Sequence, residues 1–122
     1  MTNIKVNIIC SSRYKINRKF LKETLSESLS KIGINTGVVN LTIVGKTKMK
    51  QLSQAYKNEN VALPILTFPY FQQQDQEYLI AEIVICYPQA ILLAAERNKT
   101  VDNLFKSLIE HSVQTLNQQL SN

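Results

Sequence analysis

Glycine, histidine and cysteine are all scarce in this 122-residue chain, and each scarcity removes a class of chemistry. The three glycines, Gly33, Gly37 and Gly45, fall in no G-x-G-x-x-G or G-x-x-x-x-G-K-S/T pattern, so no glycine loop is available to cradle a nucleotide phosphate. His111 is the only imidazole, and neither a nucleophile elbow nor a catalytic-cysteine signature accompanies it, which argues against a histidine-dependent triad. The two thiols, Cys10 and Cys86, are far apart and form no C-x-x-C pair. They are expected to be small core residues, not metal thiolates or a disulfide. Long apolar runs are missing as well: the longest, residues 79–86, is interrupted by Glu82 and is far too short to span a bilayer. The start MTNIK has no signal-peptide pattern. The expectation is a soluble cytoplasmic protein with no membrane partner and no nucleotide cofactor.

What is present is enough to fold. With 44% hydrophobic and 19% charged residues, the chain can bury sufficient apolar surface to offset its ordering entropy, and residues 1–122 are expected to form one domain. Charge is unevenly spread. Residues 1–57 hold eleven Lys or Arg against only Glu23 and Glu27, whereas the remainder holds three basic residues against seven acids. If the stretches 13–22 and 46–57 lie on one face, they create a positive field that attracts phosphate backbones without reading sequence. Charge alone fits RNA or ribosome contact and a solvated lysine-rich surface equally well.

Periodicity supplies the elements. Ile4, Val6 and Ile8 alternate with polar residues, a half-buried strand near a sheet edge. Phe20, Leu21, Leu25, Leu29 and Ile32 have helical spacing, with Asn17 as N-cap and Gly33 just past the C-terminus. A strand over 38–44 precedes a short helix through Met49, Leu52 and Tyr56, capped by Thr47. A third strand, 65–68, is bracketed by Pro64 and Pro69. The Gln-rich segment 72–77 reads as an exposed turn able to close a hairpin, and 79–86 as a central strand covered on both faces. Pro88 suits the first turn of a helix carrying Ile91, Leu92 and Ala95. Thr100 caps a last helix whose stripe is Val101, Leu104, Phe105, Leu108, Ile109, Val113 and Leu116. The order β-α-β-α-β-β-α-α predicts an α/β (α+β) sandwich, a mixed four-stranded sheet packed by helices. On the last helix His111 falls on the flank of the stripe, with Thr115 one turn on. Locally, that reads as a boundary histidine satisfied by water or a carbonyl.

Three segments carry a family resemblance. The stretch LSQAYKNENVALPILTFP resembles the form LNxxYRGxDxPTDVLSFP of the YbeY family, matching at Leu52, Tyr56, Leu66, Phe68 and Pro69. AEIVIC, from Ala81 to Cys86, is similar to the family's GDIVIS, and HSVQTLNQQLS stands where the zinc motif HGxLHLxGYDH would begin. The resemblance implies a zinc-dependent single-strand endoribonuclease of bacterial rRNA maturation and ribosome quality control. It also implies that His111 is the one retained ligand position, with Thr115 and Ser121 replacing the other two. Hydroxyls are not ordinary zinc ligands. The family's phosphate-handling arginine is Lys57 here, and its Asp before the third strand is Pro64.

The departures fall on the polar positions while the apolar framework persists. The expected reading is therefore a YbeY-like rRNA maturation or ribosome-assembly protein with a degenerate zinc site. It would carry no cofactor of its own and would act by binding rRNA or the ribosome through Lys46, Lys48, Lys50 and Lys57. The rings of Phe68, Tyr70 and Phe71 beside Pro69 either stack on bases or cap the core. One rival is an active metal-dependent endoribonuclease in which Glu82, Cys86 or Glu110 completes the sphere around His111, with Lys57 as a catalytic phosphate contact. The other is a protein-interaction module that never meets RNA.

Overall fold

The computed structural model describes residues 2–121. Its elements follow the expected order: β1 (Asn3–Cys10), α1 (Arg18–Lys31), β2 (Thr36–Val44), α2 (Lys46–Lys57), β3 (Ile65–Gln74), β4 (Glu77–Cys86), α3 (Tyr87–Glu96) and α4 (Val101–Ser121). The four strands form one mixed sheet in the order β1-β2-β4-β3. β1 and β2 run parallel, as do β2 and β4, while β3 lies antiparallel to β4. β1 is an edge strand, as its alternation implies, and β4 is interior, as its near-continuous apolar run requires.

The two faces of the sheet are covered differently. Val6, Val39, Leu41, Ile83 and Ile85 turn to one face, where they meet α1, α3 and α4 in the main core. Leu21, Leu25 and Leu29 of α1 and Leu104, Phe105, Ile109 and Leu116 of α4 are fully buried there, which realises both helical stripes. The opposite face is held by α2 alone, through Met49 against Leu66, Val84 and Cys86. The caps form as read: Asn17 Oδ1 accepts from Phe20 N at 3.1 Å, and Thr100 Oγ1 accepts from Asn103 N at 3.2 Å. Gly37, at φ +132°, is required by crowding as well as by backbone, because a Cβ there would lie 2.8 Å from Ile80.

Five local readings need correction. β3 does not stop before Pro69 but runs on to Gln74, past an irregularity between Pro69 and Gln72 where Phe71 adopts φ 48°. An edge strand tolerates proline at such a bulge, since the missing N–H faces no partner. The segment 72–77 is consequently mostly strand, and the hairpin turns only at Asp75 and Gln76, with Asp75 at φ 54°. Thr47 does not cap α2: the N-cap is Gly45, without a side-chain bond, and the helix has already begun at Lys46. On α3 the small residues Ala90 and Ala94 are buried, whereas Ile91, Leu92 and Ala95 face solvent, Leu92 at 56% exposure. The inner side of α3 is the face that carries Tyr87, Ala90, Leu93 and Ala94, and Tyr87 and Leu93 pack partly buried against the main core beside the two alanines. Finally, Cys86 is buried as expected but Cys10 is only half-buried, its Sγ donating to Ser11 O at 3.4 Å.

Candidate functional site

α2 starts against an electrostatic handicap. Its first turn contains Lys46 and Lys48 and no acid, and its N-cap supplies no side-chain acceptor, so ammonium charge adds to the positive end of the helix dipole. Such an arrangement costs a few tenths of a kcal/mol to about 1 kcal/mol unless an anion offsets it. Lys46, Lys48, Lys50 and Lys57 all lie at the surface, and the one ion pair among the described residues, Lys5–Glu77, involves none of them. Lys46 and Lys48 line a depression with Arg13, Tyr14, Gln51 and Pro88. Arg13 is fixed there from the loop before α1: its guanidinium lies 5.0 Å above the Tyr14 ring, which in turn stacks on Tyr87 at 4.6 Å. The two basic stretches of the sequence therefore meet at Arg13. Arg18, Lys19 and Lys22 belong to α1 on the other face of the sheet, where Arg18 donates to Ile8 O at 3.2 Å.

Beside this depression, Lys48 also reaches a second groove, of about 230 Å³, between α2 and the sheet. Its lining includes Leu52, Tyr56, Phe68, Tyr70 and Glu82. Tyr56 is 64% exposed and meets Phe68 edge-on at 4.9 Å, while Tyr70 is 39% exposed. A hydrogen bond to the Glu82 carboxylate, followed by desolvation and the charge of Glu82, pushes the Tyr70 phenol above its ordinary value. The cluster of rings after β3 begins thus divides: Phe68 and Tyr70 serve the groove, and Phe71 packs against the main core. Tyr56, read from the sequence as a helix residue, is an exposed ring of the groove. Its position in the 3.6-residue repeat, beside Leu52 on α2, was the available signal.

The α4 end is different in kind. His111 is exposed and Thr115 half-buried, but the Thr115 hydroxyl donates to His111 O at 3.2 Å, turned back onto its own helix. Ser121 closes α4, and its side chain lies outside the described residues. The residue after His111, Ser112, faces inward, fully buried, with its Oγ 2.6 Å from Thr67 Oγ1 on β3. The candidate substitute ligands are dispersed. Glu82 is in the α2 groove, Cys86 in the small core beneath α2, and Glu110 in a cleft between α1 and α4 with Phe20, Glu23, Glu27 and Lys106. Among the described residues no three His, Cys, Asp or Glu side chains converge as a metal site would require. One imidazole and a hydroxyl committed to a carbonyl do not fit a zinc sphere. Lys57 ends α2, exposed, one residue before the left-handed Asn58 that terminates the helix.

No helix among the described residues is long and apolar enough to cross a membrane. Comparison with known proteins places these features in a family. An Endoribonuclease YbeY of Thermodesulfovibrio yellowstonii is 30% identical over 106 residues, covering 84% of this chain and 67% of that protein. One from Polynucleobacter asymbioticus is 33% identical over 96 residues, covering 75% of this chain and 61% of its own length. A Thermotoga maritima protein solved in solution shares the fold, with a TM-score of 0.60 at 24% identity, covering 93% of this chain and 71% of that one. The family model for Endoribonuclease YbeY matches residues 5–117, from the edge strand through most of α4, and the chain belongs to the YbeY family.

Proposed function

We propose that this chain is a cytoplasmic YbeY-like protein of rRNA maturation or ribosome assembly, one domain over residues 1–122, that acts by contacting RNA and has lost the family's zinc-dependent hydrolysis. The observation that carries the reading is the α2 surface, where Lys46 and Lys48 share a depression with Arg13, Lys48 also lines the groove that holds the rings of Tyr56 and Tyr70, and Lys50 is exposed on the same helix, none of the three in an ion pair among the described residues. Lysines supply phosphate attraction without sequence preference, and exposed rings supply stacking platforms for unpaired bases, the combination that single-stranded nucleic acid requires. Lys57 extends the series toward the C-terminal end of α2, keeping the family arginine's charge but not its bidentate fork.

Hydrolysis is assigned no role because the donors do not assemble. A zinc ion would lower the pKa of a bound water, and nothing at His111 and Thr115 is arranged to hold one. The experiment is a titration of fluorescent single-stranded RNA at several salt concentrations, comparing the native protein with Lys48→Glu/Lys50→Glu. The variant is expected to bind at least about tenfold more weakly, with a salt slope shallower by about 1 for each lysine that no longer neutralises a phosphate. Equal affinity and equal slope in the two proteins would favour the protein-interaction module instead.

A further inference from the structure

Glu82 is an anomaly in the interior strand. It sits on β4 between Ala81 and Ile83, opposite Asn40 on β2 and Phe68 on β3, half-buried within residues 79–86, which are otherwise apolar. A carboxylate in such a position costs desolvation and ordinarily finds a cation. No ion pair among the described residues involves it, although Lys48 lines the same groove. Tyr70, partly exposed, lines the same groove, and Glu82 raises the pKa of its phenol. The carboxylate has acceptor capacity toward the groove, since two oxygens offer about four acceptor sites.

From the convergence of Glu82 with Tyr56, Tyr70 and Lys48 in one groove, we infer a base-reading pocket selective for guanine in single-stranded RNA. This rests on the RNA-contacting reading above and adds a ligand identity to it. The selectivity follows from donor patterns. A carboxylate is an acceptor only, and it pairs best with two N–H donors side by side. Guanine presents N1–H and the N2 amino group adjacent on its Watson–Crick edge. In adenine and cytosine the amino donor stands next to a ring-nitrogen acceptor, and in uracil N3–H stands between two carbonyls, so each of these sets a lone pair against an oxygen of Glu82. The rings of Tyr56 and Tyr70 supply stacking for whichever base enters, and Lys48, shared with the basic depression, takes the adjoining phosphate.

The test uses short uridine oligonucleotides carrying one central G, A or C, titrated against the intact protein by fluorescence anisotropy. The G oligonucleotide is expected to bind about tenfold more tightly than the A or C oligonucleotide, the discrimination of one bidentate pair. In Glu82→Gln, which replaces one acceptor oxygen by an amide, the G-to-A ratio is expected to fall to near one. Uridine oligonucleotides that bind with no preference for G in the native protein would overturn the guanine pocket and leave the RNA reading standing. Failure of every oligonucleotide to bind would overturn both. Persistence of the G preference in Glu82→Gln would remove Glu82 from the pocket. Because the native protein alone decides base preference, a folding defect in the variant does not shelter the inference.

Discussion

On the α4 side of the sheet, three helices bury Leu21, Leu25, Leu41, Ile83, Phe105 and Ile109 in one continuous core; on the α2 side, one helix buries Met49 and leaves Lys48, Tyr56, Tyr70 and Glu82 open to solvent. Apolar pattern has been kept on both sides, since each must hold its helix. The polar groups differ. At His111 they are a helix-surface imidazole and a back-bonded threonine hydroxyl, whereas on α2 charge, rings and a carboxylate converge. Mutation should therefore separate the stability of the main core from the recognition proposed for the α2 surface.

The largest expected effect is on the closed side. Phe105→Ala, at a fully buried position, should cost about 3–5 kcal/mol in urea denaturation, whereas Tyr56→Ala should cost no more than about 1 kcal/mol because its ring packs mainly edge-on against Phe68. The order reverses for binding: Tyr56→Ala should weaken single-stranded RNA affinity by about 1–3 kcal/mol if its ring stacks on a base. A next step down is Ser112→Ala, which removes the 2.6 Å partner of Thr67 and should cost about 1–3 kcal/mol, part of it recovered when Thr67→Val is added. Gly37→Ala should destabilise by more than about 1 kcal/mol, since both its φ of +132° and the Ile80 side chain oppose a methyl group.

How much of this was legible before the structure depends on the kind of interaction. The stripes of α1 and α4 were readable because each residue's place in a 3.6-residue repeat decides its burial, as Leu21, Leu25 and Leu29 show. The continuation of β3 through Pro69 was hidden by proline and by three glutamines, and it exists because β4 supplies partners from the far side of a turn. The exposed face of α3 was hidden for the opposite reason: hydrophobicity favours Ile91 and Leu92 inside, while the face turned to the core is the one that carries Tyr87, Ala90, Leu93 and Ala94. At the candidate site the lysines were legible, because exposure and charge go together. The groove was not, since Lys48, Tyr56, Tyr70 and Glu82 come from three elements and meet only when α2 folds onto the sheet.

Two smaller effects sharpen the contrast. Burial pushes the Cys86 thiol up, with the Gln89 backbone and Lys46 opposing, and burial likewise pushes Cys10 up against the charge of Arg18. Cys86 should therefore resist alkylation in the native protein and react only on unfolding, as mass spectrometry would register, with Cys10 modified first. A raised native pKa means that this contribution to stability is present below the ordinary thiol value of about 8.5 and is lost as pH rises from there toward the native value. At the small end of the scale, His111→Ala, at an exposed helix position, should change stability by no more than about 0.5 kcal/mol.

The decisive measurement is the affinity and integrity of a labelled single-stranded RNA with untagged protein, titrated once with a chelator present and once with added zinc. Metal-independent contact through α2 predicts the same dissociation constant in both conditions and uncut RNA in both. Cleavage or markedly tighter binding on zinc addition, abolished by His111→Ala, would contradict it.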